Sequence, residues 1–442
     1  MKFWNLGRVA LALAASLVLI GGMDSCIYDY TNAYVIVTGS QYNQIASYRE
    51  DNDTGQLRAA PGDPQSSGGS DPIRAVLLTG GRYVYVLNHG TPTENSDGSI
   101  TWKDGNVSVF SVGGDGQLAY QLSYNSQGNG SVRLLMGANG YLYVLDEYEP
   151  SGAAGTTPGS ATATTADPCY DSSTGMYRPV GDVTVFSIDA NTGRLYLVQN
   201  QEQQDSTGAD LTYFPLGCQP IDFYQGSGYL YVAEVSHPGY TETGEDIYPY
   251  QASSNGQLLP PQQPQYFGAQ GISVIKGSAS GKYIYVLDAV TNMIYPFTAG
   301  SNGFLSIVSG GAVANEGLPN VNLGMDALTT DATTNWLYVA NTASSGLGQS
   351  NSAVSAYTIE PGTGDLEPFS DSTVNPFPTG SDPVCIFEDT SHQYMYTADG
   401  ASSEVTGATF NPSTGIIANL THGTAFPTVG TPTWCLYTAN TD

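Results

Sequence analysis

The sequence predicts an all-β chain folded as a seven-bladed β-propeller. Three observations carry that expectation. A strand of the form aromatic–apolar–Tyr–Val recurs along the chain, tight turns ending in Gly follow it, and the last residues match the beginning of the repeat. Apolar stretches alternate over four to six residues and are then cut by Gly, Asn or Asp, which suits short strands and not helices.

The recurring strand reads Tyr83-Val84-Tyr85-Val86, Tyr141-Leu142-Tyr143-Val144, Tyr229-Leu230-Tyr231-Val232 and Tyr283-Ile284-Tyr285-Val286. It returns as Trp336-Leu337-Tyr338-Val339 and Tyr394-Met395-Tyr396-Thr397, with Tyr34-Val35-Ile36-Val37 as a degenerate first copy. A third strand follows, as in Val107-Ser108-Val109-Phe110 or Val183-Thr184-Val185-Phe186. Then comes a hairpin such as Thr54-Gly55-Gln56-Leu57, Asp115-Gly116-Gln117-Leu118 or Thr363-Gly364-Asp365-Leu366, where Gly supplies the positive φ of a tight turn. An apolar strand opened by Pro precedes the motif at Pro72-Ile73, Pro220-Ile221 and Pro383-Val384. Four antiparallel strands per repeat describe a propeller blade.

The first repeat starts at its second strand and lacks an inner one. The C-terminal run Thr431-Pro432-Thr433-Trp434-Cys435-Leu436-Tyr437 matches the inner-strand pattern Asp382-Pro383-Val384-Cys385-Ile386-Phe387. The C-terminal strand is therefore expected to complete the N-terminal blade and close the ring, leaving no inner edge exposed.

Residues 1–25 read as a signal peptide, with Lys2 and Arg8 before an apolar run from Val9 to Ile20. Ser25 before Cys26 fits a lipoprotein-type cleavage site, with Cys26 lipidated, residues 26–33 as a short tether and 34–442 as the propeller. The expected location is the cell envelope, as an outer-membrane lipoprotein or in the periplasm, with secretion as the alternative. The membrane would be touched through the lipid only. Cys169, Cys218, Cys385 and Cys435 remain, an even number suited to an oxidising compartment. Of the three pairings, the repeat register favours Cys169–Cys218 and Cys385–Cys435, each between neighbouring blades; four buried thiols are the alternative.

The chain carries 12 Lys and Arg against 40 Asp and Glu, a net charge of −28. Such a surface repels nucleic acid and anionic lipid. A monomer is expected.

The turns between first and second strands are short, whereas the insertions fall on the opposite face. These are His89 to Gly105, Glu147 to Gly181, Val235 to Asp246, Thr342 to Ser352 and Gln199 to Gly217. Long loops gathered on one face of a rigid scaffold point to binding there, of a small molecule or a protein. At that mouth the second strands end in Asn88, Asp146, Glu234, Asp288, Asn341 and Asp399. Acids at equivalent positions offer oxygen ligands to a divalent cation, or else cap their own turns.

The repeat Gly-x-Tyr-x-Tyr-Val-x-Asn, the x-Val-x-Val-Phe strand and Thr-Gly-x-Leu together resemble the seven-bladed lactonase family, which includes 6-phosphogluconolactonase of the propeller type. The resemblance runs from about Tyr34 to Asp442 and implies a lactone hydrolase. Such an enzyme needs a base for water and a cation for the oxyanion. Asp222 or Asp326 would serve as base, with Arg74 or Arg133 as the electrophilic partner. The family's His at the head of an inner strand corresponds to Gln219, and its Arg-His pair to Gly271-Ile272. Those losses favour a ligand- or partner-binding protein, with Gln219, Asp146, Glu234, Asp288 and Asp399 at the binding face; a divergent hydrolase of a neutral lactone or sugar derivative is the alternative.

Overall fold

The computed structural model describes residues 31–439 except 95–99, 151–168, 172–175, 178–179, 237–244, 262–263, 316–323, 343–351 and 370–374. The signal peptide and Cys26 lie outside the described residues.

Seven antiparallel blades of four strands follow one another, in two cases joined into one larger sheet. The inner strands are Pro72–Leu77, Asn129–Met136, Phe214–Gly226, Ile272–Gly277, Gly324–Thr330 and Pro383–Glu388, with Pro432–Ala439 serving the first blade. This last strand pairs with Thr31–Gly39, setting Val35 opposite Tyr437 and Val37 opposite Cys435. The inner strands pack in blade order, and Pro432–Ala439 touches both Pro72–Leu77 and Pro383–Glu388.

The recurring Tyr motif explains how blades adhere. Its second Tyr is wholly buried in six blades: Tyr85, Tyr143, Tyr231, Tyr285, Tyr338 and Tyr396. Three of these donate to a turn carbonyl of the next blade, Tyr85 to Gly193 at 3.1 Å, Tyr338 to Gly415 at 2.6 Å and Tyr396 to Gly55 at 2.9 Å. The first aromatic of each motif lies over the Gly of the next blade's outer hairpin, from Tyr34 on Gly116 to Tyr394 on Gly55. The two halves of the sequence repeat are thus the two halves of one interblade joint. A buried aromatic is worth about 3–5 kcal/mol on truncation, so these joints carry much of the stability.

Both expected disulfides form. Cys169–Cys218 ties the insertion of blade three to the inner strand of blade four, and Cys385–Cys435 links the inner strands of blades seven and one, with Cα separations of 5.4 and 5.8 Å.

Candidate functional site

Inner strands start at the long-loop face, and several start in a left-handed residue before Pro. Asp71, Gln219, Asp382 and Thr431 have φ of 53, 49, 65 and 50°. The carbonyls of Asp71 and Asp382 accept from His89 N at 2.8 Å and Gly400 N at 2.7 Å, which fixes the loop leaving each second strand. Strand alternation then turns Arg74, Arg133, Asp222 and Lys276 towards the axis, where they line one cavity of about 300 Å³ with Trp434 and Tyr224.

The cavity is polar in a particular way. Arg133 Nε donates to Asp222 Oδ1 at 3.1 Å, and Asp222 Oδ2 accepts from Ile275 N at 2.8 Å. Both oxygens of Asp222 are therefore engaged in holding Arg133 and the neighbouring strand. The Arg74 guanidinium stacks 3.7 Å above Trp434. Lys276 Nζ donates to Leu328 O at 2.7 Å, and burial, followed by the positive charge of Arg74, draws its pKa down to about 8. A second cavity of about 420 Å³ continues from this one past Val76, Lys276, Ile386 and Trp434 towards the opposite face, where His392 Nδ1 meets Glu388 Oε1 at 2.8 Å.

Of the residues singled out in the sequence, Arg74, Arg133 and Asp222 come together. Asp326 lies on Gly324–Thr330, but its side chain is outside the described set. Gln219 is exposed at the bulge before Asp222. The acids ending the second strands stay in separate blades and are wholly buried. Asp288 caps its own turn, accepting from Val290 N and Thr291 N at 3.0 Å and Gln270 N at 2.9 Å. Asp399 accepts from Thr406 at 2.6 Å and Thr397 at 3.0 Å, and Glu234 from Tyr250 at 2.6 Å. Among the described residues no three His, Cys, Asp or Glu side chains gather as metal ligands.

Lys276 escaped the sequence reading because Ile-Ser-Val-Ile-Lys-Gly carries no motif; only its register on an inner strand would have marked it. His89 was read only as a loop residue. Its Nδ1 lies 3.5 Å from Asp71, and its ring stacks on Trp102 of the hairpin Thr91–Glu94/Ile100–Lys103 at 3.7 Å.

The fold is that of the propeller lactonases. The chain superposes on a Bacteroides fragilis protein that carries a provisional 6-phosphogluconolactonase name, with a TM-score of 0.63 and 14% identity over 93% of this chain and 99% of that one. It is similarly close to the periplasmic gluconolactonase of Pseudomonas aeruginosa, with a TM-score of 0.62 and 16% identity over 92% and 99%. A Lactobacillus plantarum protein matches with a TM-score of 0.63 and 13% identity over 92% and 99%. No family model matches the sequence, and no curated protein does.

Proposed function

We propose that the chain is an exported propeller, anchored through a lipid on Cys26, that binds a small ligand bearing a carboxylate or phosphate in its axial cavity. One observation carries this reading. Three of the chain's 12 basic side chains, Arg74, Arg133 and Lys276, line the same cavity, where among the described residues Asp222 is the one carboxylate, in a protein of net charge −28. Basic groups gathered around one half-buried space attract an anion into it. Charge-assisted hydrogen bonds from guanidinium and ammonium groups would then fix its orientation. The long loops above would select the remainder of the ligand or engage a partner. Two disulfides and the periplasmic gluconolactonase likeness support export.

The hydrolase reading has one observation in its favour. With its pKa near 8, Lys276 is partly neutral at neutral pH and able to take a proton, and both Asp222 oxygens already accept hydrogen bonds. Proton release from a panel of phosphorylated and neutral sugar lactones, with and without Ca²⁺ or Mg²⁺, separates the two. Binding of sugar acids or sugar phosphates without turnover of any lactone supports the binding protein. Turnover lost in Lys276→Met makes the chain a hydrolase instead.

A further inference from the structure

At the root of the blade-three insertion, Asp146 ends the second strand and Asp182 sits directly opposite it on the third. The equivalent pair in blade two is Asn88 and Asn106, which hydrogen-bond amide to amide at 2.9 Å. Blade three has replaced two amides by two acids. Both are wholly buried, and Glu149 is buried beside them.

Their hydrogen bonding is unequal. Asp146 is saturated, accepting from the Ser126, Ser131 and Thr184 hydroxyls and from Gly128 N. Among the described residues, Asp182 has no hydrogen-bond partner at either carboxylate oxygen. A Cβ on Gly128 would collide with both acids, so the two carboxyl groups converge over the same backbone position. Among the described residues, the titratable groups facing Asp182 are Asp146 and Glu149 from its own blade and Tyr213 from the segment leading into blade four, none of them cationic. An ionised carboxylate with two bare oxygens in such a place is strongly unfavourable, and neutralisation is the ordinary escape.

We propose that Asp182 is a neutral carboxylic acid at physiological pH, whose proton removes the charge that would otherwise face Asp146 and Glu149, forming a pH-sensitive latch where the third strand meets the mouth insertion. The proton stays on the Asp182 carboxyl in the closed latch and passes to water or base as the pH rises. The remaining charge then repels Asp146 and Glu149 and pushes the third strand from the second. The latch adjoins the disulfide-bearing segment, since Val180 is registered opposite Cys218. Burial, then Asp146 and Glu149, act on Asp182 in the same upward direction, and burial alone draws Glu149 to about 7.

The test is the melting temperature of the full chain between pH 4 and 9, for the natural protein and for Asp182→Asn, which keeps the shape and removes the proton. The two should melt alike at pH 4, and the variant should melt about 2–4 °C higher at pH 9. Infrared spectra of a Glu50→Gln, Glu149→Gln protein in the same range should still show a protonated-carboxyl band at neutral pH that fades by pH 9. That measurement stands even if Asp182→Asn fails to fold. A melting difference independent of pH, or no such band at neutral pH, overturns the proposal. So does a Ca²⁺-dependent rise in melting temperature that Asp182→Asn abolishes, because a cation would then occupy the proton's place.

Discussion

Tyr394 of the seventh blade lies across Gly55 of the first, its ring 2.6 Å from where a Cβ on that glycine would stand, and its hydroxyl donates to Asn52 O at 3.2 Å. Gly55 has φ of 66°, a conformation that L-residues adopt at a cost. Residues at opposite ends of the sequence thus form the same joint that unites every other neighbouring pair of blades.

Replacing Gly55 by Ala should cost about 1 kcal/mol in the backbone and a further ~1–2 kcal/mol in displacing the Tyr394 ring. Gly281, with φ of 68° and nothing within 4 Å of its would-be Cβ, provides the control. Denaturant unfolding of both variants should show Gly55→Ala losing clearly more stability than Gly281→Ala. Equal losses would mean that the aromatic–glycine joint contributes little.

Closure of the ring by the C-terminal strand is tested by ending the chain at Gly430. The truncated chain would expose the paired edge of Thr31–Gly39 and lose Cys435 from the core. It should aggregate or elute as an expanded species. A double Cys385→Ser, Cys435→Ser variant should keep the fold but lose about 3–4 kcal/mol, as expected for a 50-residue separation. A truncated chain that elutes and melts like the full one would remove the closing role from this strand.

Stability should fall as pH rises. Burial is the leading cause that draws Glu50 up to about 8, Glu149 to about 7, and Asp63, Asp146 and Asp399 to about 6. Carboxyls raised in the folded state bind protons more tightly there than in the unfolded chain, whose values lie near 4. Their stabilising effect is therefore complete below about pH 4 and is lost as pH climbs through 6 to 8. Self-repulsion of a −28 chain acts in the same direction. Calorimetry at constant ionic strength should give a higher melting temperature at pH 4.5 than at 8.5, and Glu50→Gln should flatten the slope. A melting temperature that rises from pH 4.5 to 8.5 would contradict this.

The fold was legible because each blade repeats both halves of its joint, the Tyr-x-Tyr-Val strand and the Gly-ended hairpin, so the periodicity was visible without knowing the contacts. The C-terminal strand could be assigned for a related reason: Pro432-Thr433-Trp434-Cys435 carries the signature of an inner strand at a place where only the first blade lacked one. The site was legible in part. Arg74, Arg133 and Asp222 stand out as charges on otherwise apolar strands, yet that Asp222 is occupied by Arg133 and Ile275 depends on how adjacent blades are spaced. Lys276 was hidden because a single Lys in a strand ordinarily faces water. The acids at the ends of the second strands looked equivalent by position, but their neighbours differ: Asp288 meets backbone amides, Asp146 meets hydroxyls and a backbone amide, and Glu234 meets the Tyr250 hydroxyl.

The most direct measurement of the central claim is calorimetric titration of the mature protein with sugar acids, sugar phosphates and their uncharged counterparts, beside Lys276→Met. The anions should bind and the uncharged compounds should not. Lys276→Met should weaken binding about 10–100-fold, the loss expected for a charge-assisted hydrogen bond. Near pH 8 binding should also take up protons from the buffer, as the anion drives Lys276 to its charged form. Equal binding of charged and uncharged sugars, or unchanged affinity in Lys276→Met, would contradict the anion-binding account of the cavity.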